Sequence, residues 1–447
     1  MKKTIALTIA SLLLTVSSFA ATGSWTSGST TVVLTADSTL TISGTGAMDN
    51  YTFANRAPWV VSHRLSIKTV VINNGVTSIG EYAFFGCYEL SSVTIPNSVT
   101  SIEDYAFRGC IGLTSAPIPS SVTSIGKSAF THCIGLTTVS IPSSVKSIEE
   151  YTFYACLGLT SVTIPSSVTS IGENAFSECS GLTSVTIPSS VVNIGSSAFS
   201  YCRGLTAINV DIANTKYSSI EGVLYNQNHT VLIQYPVGTQ GAFAVPSSVD
   251  SIGDYAFAWC IGLTSVTIPS SVTSIGNQTF ELCRGLTSVT IPNSVTSIGW
   301  GAFADCSGLT SVTCLATTPL PLYGYNFDTV STDTLYVPAT SLDAYKNDSD
   351  WNSAFGTILA LAPGTSIEPA AATQLFIYPN LVKETVTIKN ASGKTVSIFN
   401  TLGKKVFENR VQSDMETIGV ANWQKGIYIV RISDAGKVVG TAKLIKD

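Results

Sequence analysis

The sequence predicts a solenoid of stacked repeats, with short parallel β-strands on the concave face and short helical turns or loops on the convex face, followed by a small all-β sandwich domain. The first supporting observation is a series of cysteines that recur every 23 residues, from Cys87 to Cys202 and again from Cys260 to Cys306. The second is that charged residues make up 11% of the 447 residues, less than half of the roughly 25% usual in soluble proteins. The third is that the repeat stops before a C-terminal segment of opposite charge, which indicates a separate domain.

Composition and motifs argue against a nucleic-acid-binding protein and against an enzyme. The formal net charge is −5, so we expect no nucleic acid among the partners. His63, His132 and His229 lie far apart, which argues against a histidine-rich metal site. The pair Asp348 and Asp350 is too incomplete for a calcium loop. Since no nucleophile elbow, H-E-x-x-H motif or phosphate loop is found, we expect no catalytic residues, metal or cofactor.

Residues 1–20 have the features of a secretory signal peptide. Lys2 and Lys3 precede a short apolar stretch, and Ser18-Phe19-Ala20 supplies the small residues that signal peptidase requires. We expect cleavage after Ala20. The apolar stretch is too short to span a bilayer stably, and no other stretch approaches about 18 apolar residues, so we expect no transmembrane helix in the mature chain.

Residues 66–319 consist of repeats of 23 residues, interrupted by an insert at 214–248. One complete repeat begins at Val168 and reads VTSIGENAFSECSGLTSVTIPSS. A single unit of this kind cannot bury its own apolar side chains, whereas stacked units share one continuous core. We expect an N-terminal β-rich cap segment at 21–65 and a C-terminal cap of the array at 320–361.

The second half of the repeat predicts a short strand. Leu182, Val185 and Ile187 have the spacing L-x-x-L-x-L, and the residues from Val185 onward alternate with polar ones, as in a strand with one buried face. Pro188 should end the strand because it has no N–H to donate to a ladder.

The first half of the repeat predicts a helical turn. Val168 and Ile171 are three residues apart, as in a tight turn of helix. Ala175, Phe176 and Cys179 would then lie on one side of a single turn and face the core.

The consensus L-x-x-V-x-I-P-x-S-V-x-x-I-G-x-x-A-F-x-x-C-x-G resembles the bacterial surface leucine-rich repeat of the BspA type. The resemblance covers Ser66 to about Leu361, and the flanking segment TLTISGTGAM and the insert segment YSSIEGVLYN are similar to the family as well. It implies a leucine-rich-repeat solenoid that serves in adhesion, by binding a host matrix protein or other bacterial cells.

The repeated cysteines are expected to be a buried ladder of free thiols. Stacked side chains of one column point the same way, which spoils disulfide geometry. The even number of cysteines in an exported chain favours disulfides instead, and this alternative stays open. Cys314 lies where another repeat has Ile187. The column contains Cys87, Cys110, Cys133, Cys156, Cys179, Cys202, Cys260, Cys283 and Cys306.

The predicted strands expose a surface of hydroxyl groups. In each L-x-x-V-x-I segment the third and fifth residues should point outward. These residues either form a solvated sheet surface, for which threonine has a suitable propensity, or a broad platform for a protein or glycan. The candidates are Ser92, Thr94, Thr138, Ser161, Thr163, Ser184, Thr186, Ser265, Thr267, Ser288 and Thr290.

The opposite face varies from repeat to repeat. Its candidates for binding are Tyr154, Tyr201, Trp259 and Trp300. Tyrosine, tryptophan and arginine carry much of the binding energy at protein interfaces. The alternative is that loops on this face vary freely without binding anything.

The C-terminal segment predicts a small all-β sandwich after a linker. Residues 362–373 are rich in Pro and Ala. Residues 374–447 contain 11 basic and 6 acidic residues, a net charge of +5, whereas residues 1–373 carry −10. Alternating apolar residues and turn signals in this segment are typical of short antiparallel strands.

This segment resembles the type A C-terminal sorting domain of type IX secretion, which is found in Bacteroidetes. Leu381 departs from the family, in which a proline is common at that position. The resemblance implies export through the periplasm and across the outer membrane by the type IX machinery, followed by surface attachment or release. The matching residues are Tyr378, Pro379, Asn380, Gly403, Gly426, Tyr428 and Lys446.

Together these features predict a secreted, non-catalytic surface protein, and the family resemblance favours an adhesin for protein–protein or cell–cell binding. Two alternatives stay open. The chain could be a structural surface scaffold without a specific ligand, or a glycan-binding accessory protein.

Overall fold

The structure is a computed structural model that describes residues 21–328, 334–361, 376–378, 381–382, 384–389, 391–400, 403–413, 415–434 and 437–446. The signal segment with Ala20, the linker 362–373, Pro379 and Asn380 lie outside these residues. The chain divides into two compact units between Val145 and Lys146.

The first unit begins with an antiparallel three-stranded sheet of Ala21–Ser27, Thr30–Thr35 and Thr39–Gly44. Its last strand pairs in parallel with Thr69–Ile72, which pairs in parallel with Ser92–Thr94. The short helix Pro58–His63 buries Trp59 completely. The further strands of this unit are Gly46–Ala47, Val76–Ile79, Ser101–Ile102, Ser115–Ala116, Ser124–Ile125 and Thr138–Ser140.

The second unit continues the repeats with two kinds of parallel strand. The long strands are Ser161–Thr163, Ser184–Ile187, Ala207–Val210, Gly241–Ala244, Leu263–Thr267, Ser288–Ile291 and Ser311–Cys314. The short strands are Ser147–Ile148, Ser170–Ile171, Asn193–Ile194, Ser251–Ile252, Ser274–Ile275 and Ser297–Ile298. Equivalent residues of successive coils pair in register, as Ser274 does with Ser251 and with Ser297. The prediction of a parallel-strand leucine-rich-repeat solenoid is confirmed.

The predicted helical turn is wrong, and its residues form a second strand and a run of tight turns. Ile171 pairs in a short parallel strand, a ladder that the sequence analysis did not foresee. Beyond it, two residues per coil have positive φ, such as Asn174 at 52° and Glu178 at 62°. Positive φ at these positions interrupts a helix, and it leaves alternate N–H groups free to donate to the next coil, as Phe176 donates to the Ala198 carbonyl at 2.9 Å.

A column of stacked phenylalanine rings lies in the core of the repeats in each unit. Phe84 and Phe107 have ring centroids 5.1 Å apart in the first unit. In the second unit Phe153 and Phe176 are 5.4 Å apart, and both are almost fully buried. Ring stacking at this distance adds to the hydrophobic stabilisation of each coil.

The insert contains a hairpin and one shortened coil. The hairpin strands are Tyr217–Ile220 and Val223–Asn226. The strand Val231–Gln234 then pairs with the short strand Ser251–Ile252. Leu232 pairs with Ile252, and Phe243 pairs with Val266. From the short strand to the long strand, this coil therefore spans 11 residues where the next coil spans 14.

The array ends with two added strands and three short helical segments. The strands Thr334–Val337 and Thr357–Ala360 extend the long-strand sheet in parallel. The helical segments are Ala339–Ser341, Leu342–Asn347 and Ser349–Ala354. Asp348, considered above for calcium, caps the last of them by accepting hydrogen bonds from the Asp350 and Trp351 N–H groups.

The C-terminal segment is all β, as predicted. One sheet contains Phe376–Tyr378, Thr385–Lys389 and Met415–Gly419. The other contains Leu381–Val382, Thr395–Asn400, Lys405–Arg410, Gly426–Asp434 and Lys437–Lys446. Their apolar side chains form one core that includes Val396, Val430 and Leu444. The pairing is antiparallel except that Leu381–Val382 runs parallel to the last strand.

Candidate functional site

The hydroxyl residues of the long strands lie on an open surface. Ser92, Thr94, Thr138, Ser161, Thr163, Ser184, Thr186 and Ser288 are exposed, and Ser265, Thr267 and Thr290 are half-buried. The equivalent Thr313 is buried instead and pairs with Tyr336 of an added strand. Neither of the two cavities described below is lined by these residues.

Other hydroxyl groups, which the sequence analysis did not single out, hold the coils together. Ser190 donates to the Val168 carbonyl at 2.6 Å, and Ser271 donates to the Val249 carbonyl at 2.7 Å. Thr296 donates to the Thr273 carbonyl in the same way. These serines and threonines recur every 23 residues, and in-register stacking brings equivalent residues of successive coils side by side. Their recurrence was therefore a signal in the sequence for hydrogen bonds between coils.

The cysteines are free, buried thiols that also act as hydrogen-bond donors. All ten are buried. The Cys179 thiol donates to the Phe153 carbonyl at 3.2 Å, and Cys202 donates to the Phe176 carbonyl at 3.1 Å. Burial raises the pKa of Cys202 to about 12, which makes its thiol a poor nucleophile at neutral pH. The same donation is made by Cys110, Cys133, Cys283 and Cys306.

Four aromatic residues were candidates for binding on the convex face, which we call the turn face. Two of them, Tyr201 and Trp259, meet in one cluster. The Tyr201 and Trp259 rings lie 5.5 Å apart in an edge-to-face contact, and the Arg203 guanidinium lies 4.5 Å from the centre of the Trp259 ring. The Tyr201 hydroxyl donates to a Glu281 carboxylate oxygen at 3.0 Å. We call Tyr201, Arg203, Trp259 and Glu281 the aromatic cluster.

The shortened coil of the insert explains how the aromatic cluster forms. Tyr201 precedes the insert and Glu281 lies 80 residues later. Between them, Tyr235 takes the core position of a repeat phenylalanine, stacked at 5.0 Å on Phe257. Because the coil of Tyr235 is three residues shorter than the next, the flanking side chains can approach each other across it.

Hydrogen bonds and burial hold the tyrosines of this face in place. Tyr154 donates to a Glu178 carboxylate oxygen at 2.5 Å. Burial, together with this bond, raises the pKa of Tyr154 to about 12. Burial first, and then the nearby Glu281 carboxylate, raises the pKa of Tyr201 as well. Both phenols are therefore protonated donors over the physiological pH range.

Trp300 belongs to a different site. Its side chain is 45% exposed and its ring centroid lies 5.9 Å from that of Tyr325. It borders a groove of about 470 Å³ that runs along three successive short strands. A second cavity, of about 300 Å³, lies beside Gln234, where the insert interrupts the short-strand ladder.

The structure describes most of the sorting-motif residues. Tyr428 is buried and its hydroxyl donates to the Gln424 carbonyl at 2.8 Å. Gly403 has a φ of 76° in the turn after Asn400. Lys446 is buried at the end of the last strand, and Gly426 is exposed at the start of the strand before it. The backbone of Tyr378 lies in the first strand of this region.

Among the described residues, no group of three or more histidine, cysteine, aspartate or glutamate side chains is arranged to hold a metal ion. Within the same part of the chain, no helix is both long enough and apolar enough to cross a membrane.

Comparison with protein families gives two matches. The model of the BspA type leucine rich repeat region matches residues 61–156, 100–231 and 239–345, which together make up more than half of the chain. The model of the secretion system C-terminal sorting domain matches residues 376–447. No curated protein matches the chain.

Several bacterial proteins of known structure are similar to this chain. A leucine rich cell surface protein from Faecalibacterium prausnitzii is 30% identical with a TM-score of 0.58, over 76% of this chain and 95% of that one. A leucine-rich repeat protein from Eubacterium ventriosum is 29% identical with a TM-score of 0.53, over 76% and 85%. The pneumococcal vaccine antigen PcpA, 18% identical with a TM-score of 0.50 over 76% and 99%, is similar in fold alone.

Proposed function

The chain belongs to the BspA-type leucine-rich-repeat family and ends in a type IX secretion sorting domain, and from these two facts we propose that it is a non-catalytic adhesin displayed on the bacterial surface. The sorting domain carries it across the outer membrane, and the repeats bind a protein on a host matrix or on another bacterial cell. This proposal includes removal of residues 1–20 during export.

The aromatic cluster is the observation that supports binding most strongly. It combines tyrosine, tryptophan and arginine, the residue types that dominate binding energy at protein interfaces. The hydrogen bond of Tyr201 to Glu281 and the cation–π contact of Arg203 hold the rings in fixed positions. A fixed cluster loses little side-chain entropy on binding, which increases affinity.

The contacts of Tyr154 extend the same surface. Its hydroxyl is bound to Glu178, and Glu178 is close enough to contribute to the raised pKa of Tyr201. The proposed binding face therefore combines aromatic rings, one guanidinium and two carboxylates. Such a mixture suits a partner protein with complementary charges and at least one apolar anchor.

The test is attachment of intact cells to immobilised matrix proteins and to a layer of a second bacterial species. Cells that display the Trp259→Ala variant should bind the partner roughly 30-fold more weakly than wild type, the loss expected for a residue of this importance. Tyr88→Ala is the control, because Tyr88 is an exposed aromatic residue in the other unit. Equal attachment of cells with and without the protein would favour a structural scaffold instead.

A further inference from the structure

The groove beside Trp300 lies on the surface of the second unit. It runs across three successive coils, along the short strands Ser251–Ile252, Ser274–Ile275 and Ser297–Ile298, and has a volume of about 470 Å³. Glycine follows each strand, so no side chain rises from the groove at those three positions. The groove is therefore long and open rather than a closed pocket.

Aromatic rings form one end of the groove. Trp300 and Tyr323 line this end and are 45% and 58% exposed. Tyr325 lies beside Trp300, outside the lining of the groove, and is 61% exposed. Tyr325 meets the Trp300 ring edge to face. Gly324 has a φ of 67°, and a Cβ at that position would collide with the Trp300 indole. The glycine thus lets the chain pass closely over Trp300 while the indole stays exposed.

Polar groups line the side of the groove in fixed positions. An Asp254 carboxylate oxygen accepts the Asn277 N–H at 2.6 Å, and the Asn277 side-chain oxygen accepts the Trp300 N–H at 2.8 Å. The Asn277 amide also donates to Asp254 at 3.3 Å. A carboxylate accepts about four hydrogen bonds and an amide donates two, so both side chains keep capacity for a ligand.

The charge of the groove restricts the ligand further. Asp254 is the one charged residue among those that line it, and no lysine or arginine is among them. A phosphate, sulfate or uronate group would meet a carboxylate without a compensating cation, which is unfavourable. A ligand with hydroxyl groups and an apolar face meets no such penalty.

We propose that this groove binds a neutral glycan, with one pyranose ring stacked on the Trp300 indole and its hydroxyl groups hydrogen-bonded to Asp254, Asn277 and the strand serines. The face of a pyranose ring is a set of C–H groups, which pack on the electron-rich face of an aromatic ring. Its edge is a set of hydroxyl groups, which need donors and acceptors at fixed positions. The groove supplies both within one continuous surface.

This site is independent of the proposed adhesin function. It uses none of the residues of the aromatic cluster, so either proposal can fail without the other. Loss of cell attachment in Trp259→Ala with unchanged glycan binding would separate the two.

The test uses the purified secreted protein with three neutral polysaccharides, dextran, mannan and xylan, and with chondroitin sulfate as an anionic comparison. Binding is measured by isothermal titration calorimetry. It is also measured by how far the ligand protects tryptophan fluorescence from quenching by acrylamide. We expect at least one neutral polysaccharide to bind and to protect the exposed Trp300. Trp300→Ala should weaken binding at least about tenfold, a loss equivalent to one good stacking contact.

Two variants keep the test decisive. Trp300→Phe retains an aromatic platform, so it should bind more tightly than Trp300→Ala but should show no fluorescence protection. Tyr88→Ala, outside the groove, should bind as wild type does. The proposal is overturned if none of the three neutral polysaccharides binds, if chondroitin sulfate alone binds, or if both Trp300 variants bind with unchanged affinity.

Discussion

The cysteine of each repeat combines a small apolar volume with a hydrogen-bond donor. Cys179 is fully buried, and its thiol donates to the Phe153 carbonyl, 26 residues earlier in the chain. That carbonyl also accepts the Cys156 N–H at 3.3 Å. Alanine at this position would leave a cavity and remove the thiol contact, whereas a larger residue would disturb the stacked rings.

Replacing Cys179 with alanine should lower the free energy of unfolding by about 1–3 kcal/mol, through the cavity and the lost hydrogen bond. Urea unfolding of the purified protein measures the change. Because the thiols are free, adding a reductant to the wild type should leave the unfolding curve in place. A wild-type protein that unfolds on reduction alone would instead contain disulfides.

The buried thiols should make the protein unstable in alkali. Burial raises the pKa of Cys87 and of Cys202 to about 12 from the ordinary 9.0. Above pH 9 the unfolded chain releases thiol protons that the folded chain retains, so stability falls as the pH rises from 9 towards 12. Between pH 9 and 12, the free energy of unfolding falls by about 1.4 kcal/mol per thiol for each pH unit.

Urea unfolding at pH 7, 9, 10 and 11 tests this expectation. The thiol contribution is fully present at pH 7, so the free energy of unfolding should decline only above pH 9. Cys179→Ala lacks one such thiol and should decline less steeply. A free energy that stays constant from pH 9 to 11 contradicts the expectation.

At the scale of the element, the strands followed from the sequence but the turn did not. Alternation of Val185 and Ile187 with polar residues indicates a strand directly. The spacing of Val168 and Ile171 fits a helical turn equally well, although Ile171 lies in a strand. The strand forms instead of the helical turn because it pairs with strands of the neighbouring coils. This pairing joins residues far apart in the sequence, so the local spacing of apolar residues does not reveal it.

Glycine follows most of the short strands, at points where successive coils approach each other closely. A Cβ on Gly276 would lie 2.6 Å from the Asp254 nitrogen, which is backbone and cannot move aside. Gly276→Ala should therefore lower the free energy of unfolding by about 1–3 kcal/mol, as overpacking does.

Gly301→Asn is the matched control for this substitution. Gly301 has a φ of 58°, and in equivalent positions Asn174 and Gln278 adopt a φ of 52° and 48°. The nearest atom to a Cβ there is the Gln278 Cγ at 3.5 Å. Asparagine tolerates this backbone conformation, so the loss should stay below about 1 kcal/mol. Thermal unfolding compares Gly276→Ala with Gly301→Asn. Equal losses of stability in the two variants would show that the close approach of coils does not require glycine at position 276.

At the scale of the whole molecule, the regular part of the chain was predictable and the irregular part was not. The 23-residue register identifies which residues share a column, and therefore which are buried. The meeting of Tyr201 with Trp259 depends on the length of one coil in the insert, where the repeat pattern is absent. The aromatic end of the groove likewise depends on Tyr323, which lies beyond the last repeat.

Surface delivery by the C-terminal domain is the central claim, and it can be measured on intact cells of the producing bacterium. Antibody labelling and protease accessibility should detect the wild-type protein outside the cell, whereas a chain that lacks residues 374–447 should remain in the periplasm. Fusing residues 374–447 to an unrelated exported protein should carry that protein to the surface. Undiminished surface labelling of the shortened chain would contradict the account.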